Sequence, residues 1–340
     1  MVPPTGGEKD TSPPELISVY PENLTTQFKN TQIYFSFDEN ISLNNWVSNF
    51  YVSPSLRAPI KTDLKGSDLI LTIPDSINKE ITYCISLDNC IKDVNEGNII
   101  SDLKYLFSAS NFIDTLSVNG QVLDAYSLIP EDKIWVLLYN LGIDDSLIFK
   151  TSPLYMTKTN SVGIFNFTNL PNNKYEIYAI AGDNFKMDNI NEKIAFYRSP
   201  VIGGETNNII LYLFNTAMDS CLQDSINHMS EIVDSVKNTD FITANLTVVL
   251  DRKTPAIISL LRGGKVIITQ IVADSVIKIN DVPPGEYDMK IVIDDNQNKI
   301  WDTGNLYLGV LPEKVIHYPN KILIRSNWDV ELNWKINLLK

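Results

Sequence analysis

Apolar and polar residues alternate with a period of two along most of the chain. In Thr31–Asp38, Ile33, Phe35 and Phe37 alternate with Tyr34 and Ser36, which predicts a strand with one buried face. Asp68–Ile73 and Ile81–Leu87 repeat the theme, with turn-forming Gly66-Ser67 and Pro74-Asp75 before and between them. Phe107 ends the last strand of this first unit. A second unit holds strands at Leu116–Leu123, Trp135–Tyr139, Gly163–Phe167, Lys174–Ala181 and Ile209–Phe214. A third holds Leu246–Leu250, Ile257–Leu261, Val266–Ile271, Val276–Ile279, Tyr287–Ile293 and Val315–Ile324. The glycine pairs Gly203-Gly204 and Gly263-Gly264 read as hairpin turns. Only Ala217–Val236 changes period. Leu222, Ile226, Met229, Ile232, Val233 and Val236 recur at steps of three and four, with Asp219 or Ser220 as N-cap. That predicts an amphipathic helix, packed on a neighbouring domain or docked on a partner or a membrane surface, the last disfavoured by its acidic residues. The pattern as a whole predicts an all-β chain of three tandem β-sandwich domains with a short linker helix. The boundaries fall at 1–12 (a flexible Pro- and Gly-rich leader), 13–110, 111–215, 216–240 (linker) and 241–340, which ends in a C-terminal strand.

An internal repeat joins the second and third units. Gly163–Asn184 reads GIFNFTNLPNNKYEIYAIAGDN and Ser275–Asn296 reads SVIKINDVPPGEYDMKIVIDDN, aligned without a gap. Leu170 matches Val282, Pro171 matches Pro283, Tyr175 matches Tyr287, and Asp183-Asn184 match Asp295-Asn296. Strand, Pro-containing turn, strand with an inward Tyr, then an acidic loop make one supersecondary unit used twice. Its shared positions hold no nucleophile–base motif, so what is shared reads as structural.

Composition narrows the partners. Hydrophobic residues make up 44% of 340, enough for real cores. A net charge of -13 with no basic run argues against nucleic acid, because phosphate binding needs clustered Lys and Arg. It also weighs against simple docking on anionic lipid. Cys84, Cys90 and Cys221 give no disulfide framework and read as small buried or half-buried residues. No stretch reaches the roughly 18 apolar residues of a membrane helix, and Met1–Gly7 has no apolar core of the signal type.

Catalytic motifs are missing. His228 and His317 belong to no H-E-x-x-H or comparable pair, and there is no G-x-S-x-G elbow, P-loop or G-x-G-x-x-G. The reading is therefore non-enzymatic. One loop suggests metal chemistry. Asp294, Asn296, Asn298 and Asp302 place oxygen side chains at alternating positions, with the Ile300 carbonyl between, as a Ca²⁺ site of six to eight oxygens would need. Against calcium, Lys299 stands where such loops carry Gly, and no bidentate Glu follows. The alternative is an Asx-rich turn capping its own backbone. The equivalent loop from Asp183 to Asp188 and on to Glu192 is shorter and weaker. At the C-terminus, Trp328, Val330, Leu332 and Trp334 alternate with polar residues, either as a last core strand or as a Trp-bearing edge for a partner.

The run Pro3-Pro4-Thr5-Gly6-Gly7-Glu8-Lys9-Asp10-Thr11-Ser12-Pro13-Pro14 resembles the start of mature Ig-like-domain lipoproteins of Bacteroidota. So do Tyr34-Phe35-Ser36-Phe37-Asp38-Glu39 and Asp93-Val94-Asn95-Glu96-Gly97-Asn98. Asn119–Ala125 with the Leu170-Pro171…Tyr175 turn looks like a carboxypeptidase-regulatory-like or transthyretin-like sandwich. Pro283–Tyr287, Ile300–Asn305 and Pro312–Ile316 are similar to the family's C-terminal domain. The resemblance implies an Ig-like domain over 13–110 and two carboxypeptidase-regulatory-like or transthyretin-like domains after it. It also implies a lipid-modified Cys upstream, where Met1-Val2 stand here, and hence anchoring at the outer membrane facing the cell surface. Lipoproteins of this phylum often ride on outer-membrane β-barrel proteins, and such a complex, for example the assembly machinery, is the implied partner. The alternative is a glycan- or matrix-binding surface protein, with Trp46, Tyr51 and Trp135 as candidate aromatics.

Overall fold

The computed structural model describes residues 9–75, 77, 78, 80–189, 191–215 and 243–336. The chain is all-β and built of tandem sandwiches. By contact it divides into two compact units. The first takes residues 9–122, Glu131–Met187 and Tyr197–Leu211. The second takes Leu123–Pro130, Asp188–Phe196 and the described residues from Tyr212 onward. The helix expected over Ala217–Val236 lies outside the described residues, as do Cys221 and His228.

The first unit opens with β1 (Leu16–Tyr20), β2 (Gln32–Phe37), β3 (Ile41–Leu43), a one-turn α1 (Trp46–Asn49), β4 (Tyr51–Ser53), β5 (Lys61–Lys65), β6 (Asp68–Thr72), β7 (Thr82–Ser86), β8 (Ile91–Asp93) and β9 (Lys104–Ser108). Antiparallel sheet β1-β2-β6-β5 and sheet β4-β7-β9 bury one core between them. The alternation seen in the sequence does this directly. Ile33, Phe35, Phe37, Leu69 and Leu71 are buried, while Tyr34 and Asp68 between them face solvent.

The next strands are β10 (Leu116–Asp124), β11 (Trp135–Asn140), β12 (Tyr155–Lys158), β13 (Ile164–Leu170), β14 (Lys174–Ile180), β15 (Ile194–Phe196), β16 (Val201–Ile202) and β17 (Ile209–Leu213). One sheet has the order β13-β10-β17. The other has the order β12-β11-β14, with β16 added on β14.

The second unit contains β18 (Ala244–Leu250), β19 (Ala256–Arg262), β20 (Lys265–Val272), β21 (Val276–Val282), β22 (Gly285–Ile293), β23 (Val315–His317), β24 (Ile322–Ile324) and β25 (Val330–Trp334). Sheet β21-β18-β25 faces sheet β20-β19-β22-β23 over a single core that includes Leu246, Ile258, Tyr287 and Ile291. Gly263 and Gly264 form the β19–β20 hairpin turn, both at positive φ, where an L side chain would be strained. The stretch Val315–Ile324, expected as one strand, is two. Both pair with β22, and Pro319, which has no N–H to give a ladder, lies in the break.

The repeat corresponds in detail. Leu116↔Leu170 is followed by Val118↔Phe167, and Ala244↔Val282 by Leu246↔Ile279, so each pair carries a β-bulge at the same place. Asn169 (φ 60°) and Asp281 (φ 57°) hold the same left-handed turn. The buried Tyr175 donates its hydroxyl to the Pro171 carbonyl at 3.2 Å, and Tyr287 donates to Pro283 at 2.8 Å. Each bond ties the start of a central strand to its turn and satisfies a phenol that burial would otherwise strand, at about 1 kcal/mol net.

Candidate functional site

Strand β22 ends at Ile293, and the loop that follows collects all four residues singled out for calcium. Asp294 is 1% exposed, and its carboxylate accepts from the N–H groups of Asn298 (3.1 Å) and Lys299 (2.9 Å). The Asn296 side-chain oxygen accepts from Asn298 N–H, and the Asn298 oxygen from Ile300 N–H, both at 3.0 Å. These are consecutive Asx turns. They hold Gln297 and Lys299 at positive φ without glycine. The carboxamide N–H groups of Asn296 and Asn298 both donate to the Asp302 carboxylate.

Sequence reasoning missed the fifth member, Glu313. Its carboxylate accepts from Asp295 N–H (3.0 Å) and Asp302 N–H (3.1 Å), while its own N–H donates to the Asp302 carbonyl. Burial pushes its carboxyl up to about 7. The two N–H donors oppose that rise, and the nearby Asp302 and Asp294 charges add to it. Spacing alone does not connect Glu313 to the loop, because a tight Asn305/Val310 turn returns the chain. Its one signal was the Pro312–Ile316 run.

The donor set suits a hard cation in kind: three carboxylates and two carboxamides. As arranged, the amide N–H groups give Asp302 the positive charge density that a cation would give. Both carboxamides would have to turn to present oxygen. Among the described residues, no three acidic, His or Cys side chains converge closely enough to hold an ion.

A second cluster in the same unit lies on the outer side of β22. Lys290 is 5% exposed, with its ammonium 3.5 Å from the centre of the Tyr126 ring, and Tyr126 lies 5.1 Å from Trp301. Burial pushes Lys290 down to about 8, with Asp124 pulling the other way. Strand β19 is buried on both faces. Ala256, Ile258 and Leu260 face the core, and Ile257 and Ser259 lie under the outer cover. The first unit does the same with β11, whose residues Trp135–Tyr139 are all buried. There Tyr51 packs edge-on at 5.4 Å from Trp135, and Lys158 stands 4.2 Å over the Trp135 ring while donating to the Ser48 carbonyl.

The remaining candidates are placed by packing. Trp135 is 3% exposed, Tyr51 lies against it, and Trp46 stacks on Phe50 at 4.3 Å, so these three form no open aromatic face. Cys84 and Cys90 are free thiols pushed up to about 11 and about 12, first by burial, so both stay protonated and inert. His317 stands beside Lys290 in the β22–β23 register. The C-terminal patch divides. Trp334 is a core residue of β25, which pairs parallel with β18, while Trp328 lies in the preceding turn, 67% exposed.

Residues 10–109 match the bacterial Ig-like domain family, and this stretch is such a domain. No curated protein matches the chain. Among solved structures, the chain is similar to the TIE protein of Bacillus anthracis at 12% identity and a TM-score of 0.20, over 97% of this chain and 59% of that one. It is similar to GBS52, the minor pilin of Streptococcus agalactiae, at 14% identity and a TM-score of 0.19, over 65% of this chain and 95% of that one. It is also similar to a DUF3823 family protein of Bacteroides uniformis at 11% identity and a TM-score of 0.21, over 62% and 100%. The chain thus spans 59% of the Bacillus anthracis protein. At these scores the likeness bears on no activity.

Proposed function

We propose that this chain is a non-enzymatic lipoprotein of the outer-membrane surface, acting as an accessory or scaffold subunit bound to a β-barrel membrane protein. The observation that supports this best is the double-sided burial of β11 and β19. In each unit a ring from earlier in the chain lies against the outer side of a sheet, Tyr51 on Trp135 of β11 and Tyr126 on Lys290 of β22. Sandwich domains with well-packed sheets suit presentation of loops and edge strands to a partner. The perturbed groups fit the same reading. Lys290, Cys84 and Cys90 owe their shifts chiefly to burial within packing, not to an open cleft.

Placement is tested by digesting intact cells with a protease and blotting for the chain. Loss of the chain while a periplasmic control survives is the expected outcome. Protection in intact cells with digestion after lysis contradicts surface exposure.

The calcium assignment belongs to the same proposal. Asp294, Asn296, Asn298, Asp302 and Glu313 would supply the oxygens once both carboxamides turn and the three carboxylates draw together. Calcium is expected to raise the melting temperature of the wild-type chain and not that of Asp302→Asn. Equal melting with and without calcium identifies the loop as a self-capped Asx turn.

A further inference from the structure

In the Ig-like domain, the registers of β1, β2, β6 and β5 set the outward side chains out as a grid. Tyr20 stands opposite Tyr34, Tyr34 opposite Ile70, and Ile70 opposite Asp63. The row on one side holds Gln32 and Thr72. The row on the other holds Ser36 and Asp68. Inward positions Ile33, Phe35, Leu69 and Leu71 are fully buried, so the two faces do not mix.

Tyr20 is 65% exposed and Tyr34 is 42% exposed, on neighbouring strands that lie about 4.8 Å apart. The polar groups beside them are held in place. The Tyr34 hydroxyl donates to the Gln32 side-chain oxygen, and the Gln32 amide donates to Thr72 Oγ1 at 3.3 Å. Ser36 Oγ donates to Asp68 at 2.7 Å. On a chain of net charge -13 this face is balanced, since Lys61 and Lys65 offset Asp63 and Asp68.

We propose that this face is a carbohydrate-binding platform that takes an uncharged polysaccharide, with sugar rings lying flat on Tyr20 and Tyr34. The electron-rich face of each phenol ring attracts the weakly positive C–H groups on a sugar's flat side. Sugar hydroxyls point outward around the ring edge, where fixed donors and acceptors meet them at Gln32, Thr72 and Ser36. Two rings side by side on an open sheet favour a polymer over a single sugar, which would want an enclosing pocket. Charge balance selects a neutral polymer. Nucleic acid bases would also stack on tyrosine, but their phosphates need clustered cations. A protein interface centres on a wider apolar patch, and beyond the two rings this face offers only Ile70 and, at the bulge in β1, Ile17. The platform stands whether or not the chain rides on a membrane β-barrel.

The test is affinity electrophoresis of the full chain. The gels hold a panel of neutral polysaccharides (mannan, xylan, mixed-linkage β-glucan, galactan, α-glucan) or anionic polygalacturonate. A neutral polymer is expected to retard the chain. Tyr20→Ala and Tyr34→Ala should each weaken that binding about tenfold and the pair should abolish it, with only a small drop in melting temperature because neither ring belongs to the core. Trp328→Ala should bind like the wild type. Three results overturn the proposal: no retardation by any neutral polymer, retardation only by polygalacturonate, or retardation that survives both Tyr changes. Loss of a co-purifying protein in the Tyr variants, without glycan binding in the wild type, identifies the face as a protein dock and overturns it too.

Discussion

The two copies of the repeat share their corner and differ in what surrounds it. Tyr175 and Tyr287 make the same bond to the carbonyl four residues back, under the same bulge and the same left-handed turn. Beyond the corner they part. After β14, Asp188 and Glu192 meet across a short loop, where Glu192 accepts from Asp188 N–H. After β22, a longer loop folds onto Asp302 and Glu313. The outer covers also differ: Lys158 and Tyr51 lie on Trp135 in one case, and Tyr126 lies on Lys290 in the other. What is repeated holds the sandwich together, and what varies is exposed to particular neighbours.

The comparison is broken most severely by removing a corner ring. Tyr175→Ala and Tyr287→Ala each empty a fully buried site, at an expected cost of about 3–5 kcal/mol in denaturant unfolding. A cost several-fold smaller in one copy would show that the corner is structural in only one of them. Removing the hydroxyl alone sharpens the comparison. Tyr175→Phe and Tyr287→Phe should cost about 1 kcal/mol each.

The smallest expected effect separates the copies. Glu313 has its folded-state pKa raised to about 7 from an ordinary 4.5, so between those values the folded state holds more of the proton. Its contribution to stability is therefore full below about pH 4.5 and is lost as pH rises through about 7. Glu313→Gln should flatten that decline in melting temperature. Tyr175→Phe, altered in the other copy, should keep it.

Much of the molecule was legible in the chain. Alternation at Ile33, Phe35 and Phe37 marks the buried face of β2, and the repeat marks the paired corners. Asp294, Asn296, Asn298 and Asp302 do come together, because an Asx-rich loop folds locally. Glu313 was not legible as a partner, since a returning turn brings it in from eleven positions beyond Asp302. The covered faces were half-legible. Trp135–Tyr139 reads apolar at every position, which is the mark of a strand buried on both sides. Ser259 and Lys290 hide the same fact in β19 and β22, since a polar residue there reads as solvent-facing. Tyr34 was visible as the outward residue of its strand. Its pairing with Tyr20 depends on a register that includes a bulge near Ile17.

The most direct test of the accessory-subunit account is a pull-down of the full-length, lipid-bearing protein from detergent-solubilised native membranes, read by quantitative mass spectrometry. The account predicts a β-barrel membrane protein in near-stoichiometric yield. Recovery of the chain alone, from membranes where it is abundant, contradicts it.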